Sequence, residues 1–258
     1  MEFSLPEFPS APGAQAAFVA AAIALVFGLV LLVFPGFSGR FLGLQSGETR
    51  PAAIGELRAA GGFLAGLALA TLMFDQPVLY TALGTALAIS AFGRILSLMS
   101  DRAATFLNFL LLAVQIVLAG ATLYYFFEVF TPEMQFTMPQ DMNATLVFYT
   151  YAAFAVIGAL MMFAPRIACM TVGLEAITDT GSTSMRSAGG FTLGAALIGM
   201  AAANPMMDLG FGAALAIAVI GRVIALILNR GNYIYQILAL LVQGAAAALV
   251  ISTVMGMM

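Results

Sequence analysis

The stretch "ELRAAGGFLAG", Glu56–Gly66, decides the fold because a close copy, "SMRSAGGFTLG", stands at Ser184–Gly194. Each copy joins an arginine to two glycines and runs into an apolar segment. The copies lie 128 residues apart, and sliding the chain by that distance aligns the three apolar segments that end each half without a gap. Self-similarity at a fixed offset is the signature of a repeated structural unit.

The two copies match at polar positions as well as at apolar ones. The pair "GR" with Arg94 falls on "GR" with Arg222, and Gln115 falls on Gln243. Shared hydrophobicity alone would align leucines rather than arginines and glutamines. We therefore predict an internal duplication.

The composition predicts an all-α integral membrane protein. Hydrophobic residues make up 62% of the 258 residues, charged residues only 8%, and the mean hydropathy is +1.05. Globular proteins carry about a quarter charged residues. Only helices and closed barrels satisfy the backbone in lipid, and runs near ~20 apolar residues are typical of spanning helices.

Hydropathy predicts eight transmembrane helices arranged as a 4+4 repeat. The expected spans are 16–34, 58–74, 78–99, 103–127, 145–164, 186–203, 209–228 and 233–256. Because four is even, both repeats enter the membrane from the same side, which predicts parallel repeats about a pseudo-two-fold axis along the membrane normal. The predicted organisation is a short extracytoplasmic segment at 1–15, the first repeat at 16–128, an extracytoplasmic connector at 129–144 and the second repeat at 145–258.

The arginines predict the orientation. All of them fall in or beside the odd-numbered connections, and the other side carries acids without a base. They are Arg40, Arg50, Arg58, Arg94, Arg102, Arg166, Arg186, Arg222 and Arg230. The positive-inside rule then places these connections in the cytoplasm and both termini outside. The N-terminal segment lacks the positive charge of a secretory signal, so we expect the first apolar run to be a retained span of a bacterial inner-membrane protein.

Several function classes are excluded by the residues present. The chain has no histidine and a single cysteine, Cys169, so histidine-ligated haem, zinc sites of cysteine and histidine, and cysteine-ligated iron–sulfur clusters lack their ligands. Ser–His–Asp and Cys–His catalysis lack their base. The net charge of −3 argues against nucleic acid as a partner. We expect no cofactor and no metal.

Three duplicated arginine pairs are the candidate ligand-binding residues at the cytoplasmic leaflet. They are Arg58 with Arg186, Arg94 with Arg222, and Arg102 with Arg230. A guanidinium binds phosphate or carboxylate well, so an anionic lipid headgroup or another anion would suit them; the alternative is that they only anchor the topology by snorkelling.

Two acids of the first half are the expected counter-ions of its own arginines. These are Glu56 and Asp101, whose counterparts in the second half are Ser184 and Asn229. We therefore expect the first half to neutralise its own arginines and the second half to leave its arginines free for an outside anion.

Two further sets are candidates for helix contacts. Gln115 and Gln243 are expected near mid-membrane, where they either meet across the pseudo-axis as interhelical hydrogen bonds or bind a ligand. The four-residue spacing of the paired glycines predicts close helix packing, with a shaped cavity as the alternative. These glycines are Gly62, Gly66, Gly190 and Gly194.

Each half resembles the bacterial four-helix membrane family catalogued as domain of unknown function 4345. The resemblance rests on "ELRAAGGFLAG", "FGRILSL" and the connection from Pro35 to Gly43–Leu44, and in the second half on "MRSAGGFTLG", "IGRVIAL" and Pro165 to Gly173–Leu174. The second half departs from the pattern at Ser184. The resemblance implies a four-helix fold for each half and no established activity.

Three functions are compatible with these features. The favoured one is a non-enzymatic binding or accessory protein whose partners are membrane lipids, anionic phospholipid in particular, or another membrane protein. The alternatives are a small transporter or channel for an anionic or hydrophobic solute, and a membrane enzyme using Glu56 as its acid. The first is favoured because the charges gather at one leaflet and only amides lie deep.

Overall fold

A computed structural model describes residues 6, 8–46, 53–101, 103–129, 136, 138–176, 179–228 and 233–256. Over these residues the chain forms ten helices and two short strands. The elements are α1 Pro12–Val33, α2 Pro35–Phe41, β1 Leu44–Ser46, α3 Ala53–Phe74, α4 Pro77–Ser100, α5 Phe106–Val129, α6 Met142–Phe163, α7 Pro165–Val172, β2 Leu174–Ala176, α8 Asp179–Ala202, α9 Pro205–Leu228 and α10 Tyr233–Gly256. Five helices begin at a proline, whose fixed φ suits the first helical position.

The protein is a multi-pass membrane protein. Seven helices, α1, α3, α4, α5, α6, α9 and α10, are long and apolar enough to cross a bilayer. Large apolar side chains on their outer faces, such as Val117 of α5 and Leu160 of α6, are exposed, as lipid contact requires. The predicted span 186–203 overlaps α8, which ends at Ala202 and is not among the seven. Its first turns carry polar residues between Thr180 and Ser187, and this lowers its hydropathy.

The order of elements recurs along the chain. A long helix, a short helix, a short strand and three long helices make up α1–α5, and the same order makes up α6–α10. The two strands pair antiparallel, with Leu44 opposite Ala176 and Gln45 opposite Glu175. The strands join the two parts of the chain at the end where α1 and α6 stop. Sequence analysis did not predict them, because three residues are too few to show an alternating pattern.

The long helices pack in crossed pairs. Helix α3 lies along α9, and α4 lies along α8, so each crossing joins the first part of the chain to the second. Helices α1 and α5 flank one side, and α6 and α10 flank the other. Phe63 of α3 meets Phe191 of α8 at the centre, with ring centroids 6.1 Å apart and planes at 89°. Phe211 of α9 stacks edge-on against Phe63 at 5.4 Å.

The paired glycines lie at these crossings. A Cβ added at Gly62 would lie 2.7 Å from the Ile217 carbonyl oxygen, and one at Gly66 would lie 2.5 Å from Ala214 Cα. On the other crossing a Cβ at Gly194 would lie 2.6 Å from Ala86 Cα, and Gly190 meets the backbone of α4 in the same way. The glycines therefore allow backbone-to-backbone approach between the two parts of the chain.

Candidate functional site: arginines at one end of the bundle

The duplicated arginines Arg58 and Arg186 bind the carbonyl ends of neighbouring helices. Arg58 Nη1 donates to the Leu32 carbonyl oxygen at 2.6 Å, at the end of α1. Arg186 Nη1 donates to the Met162 carbonyl oxygen at 2.8 Å, at the end of α6. The last carbonyls of a helix lack intrahelical donors and carry partial negative charge, so a guanidinium satisfies both needs. This contact explains why the arginine recurs at the start of α3 and α8.

Glu56 pairs with Arg222. Arg222 Nη1 donates to Glu56 Oε1 at 2.5 Å, and Arg222 Nη2 donates to Glu56 Oε2 at 2.8 Å. Arg222 Nε also donates to Gln243 Oε1 at 2.6 Å. Both charged side chains are largely buried, with 12% and 15% of their surface exposed. The two-point geometry is the strongest form of such a pair.

Asp101 pairs with Arg186. Arg186 Nε donates to Asp101 Oδ2 at 2.8 Å and Nη2 to Oδ1 at 3.2 Å. Burial raises the pKa of Asp101, but hydrogen bonds from Arg186, Ser97 and Ser100 and the charge of Arg186 outweigh it, so the pKa lies below its usual value. The carboxylate therefore stays ionised at neutral pH.

These two pairs correct the expected charge distribution. Glu56 and Asp101 belong to the first part of the chain, but both bind arginines of the second. The expectation that they neutralise arginines of their own half was wrong. The physical reason is the crossed packing, which places the start of α3 against the end of α9 and the end of α4 against the start of α8.

Arg94 is the deepest arginine without a carboxylate among the described residues. Its side chain is buried, with only 4% of the residue exposed. Nε donates to Gln115 Oε1 at 2.9 Å, Nη1 to Asn108 Oδ1 at 3.1 Å and Nη2 to Ser187 Oγ at 3.4 Å. All three acceptors are neutral, so no negatively charged side chain among the described residues balances the positive charge of this guanidinium.

A row of hydroxyls continues from Arg94 along the crossing of α4 and α8. Ser90 and Ser187 share a hydrogen bond of 2.7 Å, and so do Ser97 and Thr183. We call these four residues the hydroxyl seam. The positions that correspond to them on α3 and α9 are Ala218, Ala59, Ala225 and Gly55. One crossing is therefore lined by hydroxyls and the other by small apolar residues.

The two glutamines do not meet each other. Gln115 contacts Arg94, Ser90 and Ser187, and Gln243 contacts Arg222, so each amide lies beside the arginine 21 residues before it. The expectation of a contact across the pseudo-axis was wrong, because α5 and α10 flank opposite sides of the bundle. Both amides nevertheless form interhelical hydrogen bonds, since α5 lies against α4 and α10 against α9.

A pocket of about 340 Å³ opens beside the start of α7. It is lined by Asp101, Ala164, Pro165, Arg166, Ile167, Ser182 and Arg186. Arg166 is exposed and forms no ion pair within the described part of the chain. Helix α7 begins at Pro165 with no side-chain cap, so its first amides are also free to face an anion. The volume lies at the lower end of the range of ~300–1,000 Å³ for ligand sites.

Four residues of these clusters were not predicted from the sequence as site residues: Arg166, Asn108, Ser90 and Ser187. Arg166 follows a helix-starting proline, which was the available signal for an anion site. The candidates Arg102 and Arg230 lie outside the described residues. Within the described part of the chain, no group of three histidine, cysteine or acidic residues is placed to hold a metal.

Fold and site together define a multi-pass helical membrane protein with buried charge clusters at one end. No family model, curated protein or solved structure matches the chain significantly.

Proposed function

We propose that the chain is a non-enzymatic bacterial inner-membrane protein that binds the anionic headgroup of a phospholipid in the pocket beside α7. The observation that carries the proposal is the meeting of Arg166, Arg186 and the uncapped start of α7 around one cavity. A phosphodiester suits this donor set because arginine and helix-start amides both bind phosphate oxygens. Asp101 already neutralises Arg186, so Arg166 supplies the charge that is available to a ligand.

The proposed architecture has eight spanning helices in two four-helix repeats of the family catalogued as domain of unknown function 4345. The recurring element order, the pairing of β1 with β2 and the contact of Phe63 with Phe191 support the repeat. Helix α8 is the eighth span in this proposal. Its 24 residues reach about 36 Å at 1.5 Å per residue, and its polar turns are covered by α4 rather than by lipid.

The proposed orientation puts the arginine end of the bundle in the cytoplasm and both termini outside. That end is where α1 stops, α3 begins and α7 lies. Exposed apolar Ile167 beside the pocket then faces the inner-leaflet boundary, so the acyl chains of a bound lipid remain in the membrane. Cysteines at Ser10 and Arg40, in a Cys169→Ser background, test this orientation. An impermeant maleimide should label Ser10→Cys in intact cells and should not label Arg40→Cys.

The contacts give little support to transport or to catalysis by Glu56. A conducting path needs polar groups across the membrane, but the described hydrogen-bonded network stops at Ser90 and Gln115. Beyond them α4 and α8 approach backbone to backbone at Gly194 and Ala86. Glu56 is held at both oxygens by Arg222, which leaves it poorly placed to exchange a proton with a substrate.

Native mass spectrometry of the detergent-purified protein tests headgroup binding. After incubation with phosphatidylglycerol or with phosphatidylcholine, we expect retained adducts of the anionic lipid only. Arg166→Gln should weaken lipid binding by about tenfold or more, since one hydrogen bond to a charged group contributes about 1.5–3 kcal/mol. Arg40→Gln is the matched control, since Arg40 is an exposed arginine at the end of α2.

Equal retention of both lipids, or retention unchanged by Arg166→Gln, would overturn the proposal. Inorganic phosphate is the remaining arm of the test. If phosphate binds with the same dependence on Arg166 while no anionic lipid is retained, then the site takes a free phosphate and the lipid part of the proposal fails.

A further inference from the structure

We propose that Arg94 and the hydroxyl seam form an internal binding site for a small monovalent anion such as chloride. This site is separate from the pocket beside α7 and does not rest on headgroup binding. The observation behind it is a difference between the two helix crossings. Where Arg222 meets Glu56, Arg94 meets only neutral groups among the described residues.

In the second half of the chain, Ser184 occupies the position that corresponds to Glu56. The crossing of α3 with α9 and the crossing of α4 with α8 also have the same register. Gly62 lies against Ala218 as Gly190 lies against Ser90, and the backbone of α9 at Gly221 meets Arg58 as that of α4 at Gly93 meets Arg186. A carboxylate at position 184 would therefore face Arg94. The serine found there instead shares its one hydroxyl proton between the Leu42 and Thr180 carbonyl oxygens and leaves the guanidinium unneutralised.

A buried arginine in a membrane protein needs a negative partner because an isolated charge is costly in a medium of low dielectric constant. Arg186 and Arg222 have carboxylates, and Arg58 faces the carbonyl end of α1. Arg94 has none of these partners among the described residues. A mobile anion would supply the missing charge.

The surroundings of Arg94 suit a small anion rather than a phosphate. Its Nη2 has only a long contact of 3.4 Å to Ser187 Oγ, so this N–H is the one most available to a new acceptor. The hydroxyls of Ser90 and Ser187 and the amide of Gln115 lie beside it and can turn their donors toward an anion. Asn108, which accepts from Arg94, and Ser97 on the next turn of α4 are fully buried, so this part of the bundle is closed to solvent. A small ion needs less rearrangement in such a place than a phosphate headgroup does.

The seam also connects this site to the pocket. Ser97 lies one turn beyond Arg94 on the same face of α4, and its Oγ donates to Asp101 Oδ2 at 2.7 Å. Asp101 is a pocket residue and would repel an anion if it were unpaired, but Arg186 neutralises it. A line of hydrogen-bonded polar side chains thus connects the site to the arginine end of the bundle.

Thermal unfolding of the purified protein tests the site. Chloride replaces gluconate, an anion too large for the site, while the ionic strength stays constant. A ligand that binds only the folded state raises its stability, and a gain near 1 kcal/mol moves Tm by roughly 2–4 °C in a chain of this size. We expect a chloride-dependent rise of that order for the natural sequence. Ser184→Glu should abolish the chloride dependence, because it supplies the missing carboxylate.

Glu56→Ser is the reciprocal variant, since it removes the carboxylate from Arg222 and should increase the chloride dependence. A Tm that does not respond to chloride, or an unchanged response in Ser184→Glu, would overturn the proposal. If either variant fails to fold, the proposal is tested with crystals of the natural sequence grown in bromide, in which anomalous scattering locates the bound bromide ions. The account places a bromide peak at Arg94 and none at Arg222; a peak at Arg222 alone, or no peak at either arginine, contradicts it.

Discussion

Glu56 and Arg222 stand 166 positions apart in the chain and form a two-point ion pair where α3 crosses α9. The pair shows how the bundle distributes charge. The first part of the chain provides the acids, and the second part provides the arginines that they bind. Arg94, from the same part of the chain as the acids, is left with amides and a serine. Among the described residues, the buried arginine whose side-chain partners are all neutral therefore lies in the first half, at Arg94.

The glycines at the crossings should tolerate no side chain. Gly62→Ala would place a Cβ 2.7 Å from the Ile217 carbonyl oxygen, against backbone that has no rotamer to change. We expect a loss of about 1–3 kcal/mol, typical of overpacking. Gly120→Ala is the matched control, because a Cβ there meets nothing within 4 Å, and alanine favours a helix over glycine by up to about 1 kcal/mol. Thermal unfolding in detergent measures both. A Gly62→Ala protein as stable as Gly120→Ala would contradict the close approach.

The pair of Asp101 with Arg186 should make stability depend on pH. The pKa of Asp101 is lower in the folded state than in the unfolded state, so its contribution is present above the unfolded value near 3.9 and is lost as the pH falls through the folded value. Asp101→Asn removes the charge at every pH. We expect the natural protein to have the higher Tm at pH 7 and the difference to shrink below about pH 4. A difference that stays constant down to pH 2 would contradict this role.

Cys169 should be unreactive in the folded protein. It is buried in α7, and burial raises the pKa of its thiol to about 11, so the nucleophilic thiolate is scarce at neutral pH. We expect a maleimide to modify it slowly at pH 7 and rapidly after unfolding in SDS. Ser10→Cys, at an exposed position in the same chain, is the control that should react at once. Equally rapid modification of both in the folded state would show that the thiol is not buried.

Two features could be predicted from the sequence, because hydropathy and charge are local properties. These are the membrane class and the gathering of the arginines at one end of the bundle. The glycine spacing likewise indicated close packing, and the glycines do lie at helix crossings. Hydropathy also marked most of the helices, although α8 is less apolar than a typical span because its polar turns face α4.

The partners of the charged residues could not be predicted in the same way. Glu56 and Asp101 stand near arginines of their own half in the chain, and nearness in sequence suggested the wrong pairs. Which helix lies against which is decided by side chains far apart in sequence, such as Phe63 and Phe191. The hydroxyl seam was missed for the same reason, since single serines in helices give no signal until two helices are placed together.

The coupling energy between Glu56 and Arg222 tests the crossed arrangement most directly. A double-mutant cycle with Glu56→Gln and Arg222→Met, read out by thermal unfolding in detergent, isolates the interaction of the two side chains. The account predicts a coupling of about 2 kcal/mol or more, since breaking a buried pair leaves an uncompensated charge. The same cycle with Glu56→Gln and Arg94→Met should give a coupling energy of less than about 0.5 kcal/mol. Strong coupling of Glu56 to Arg94 and weak coupling to Arg222 would contradict the account.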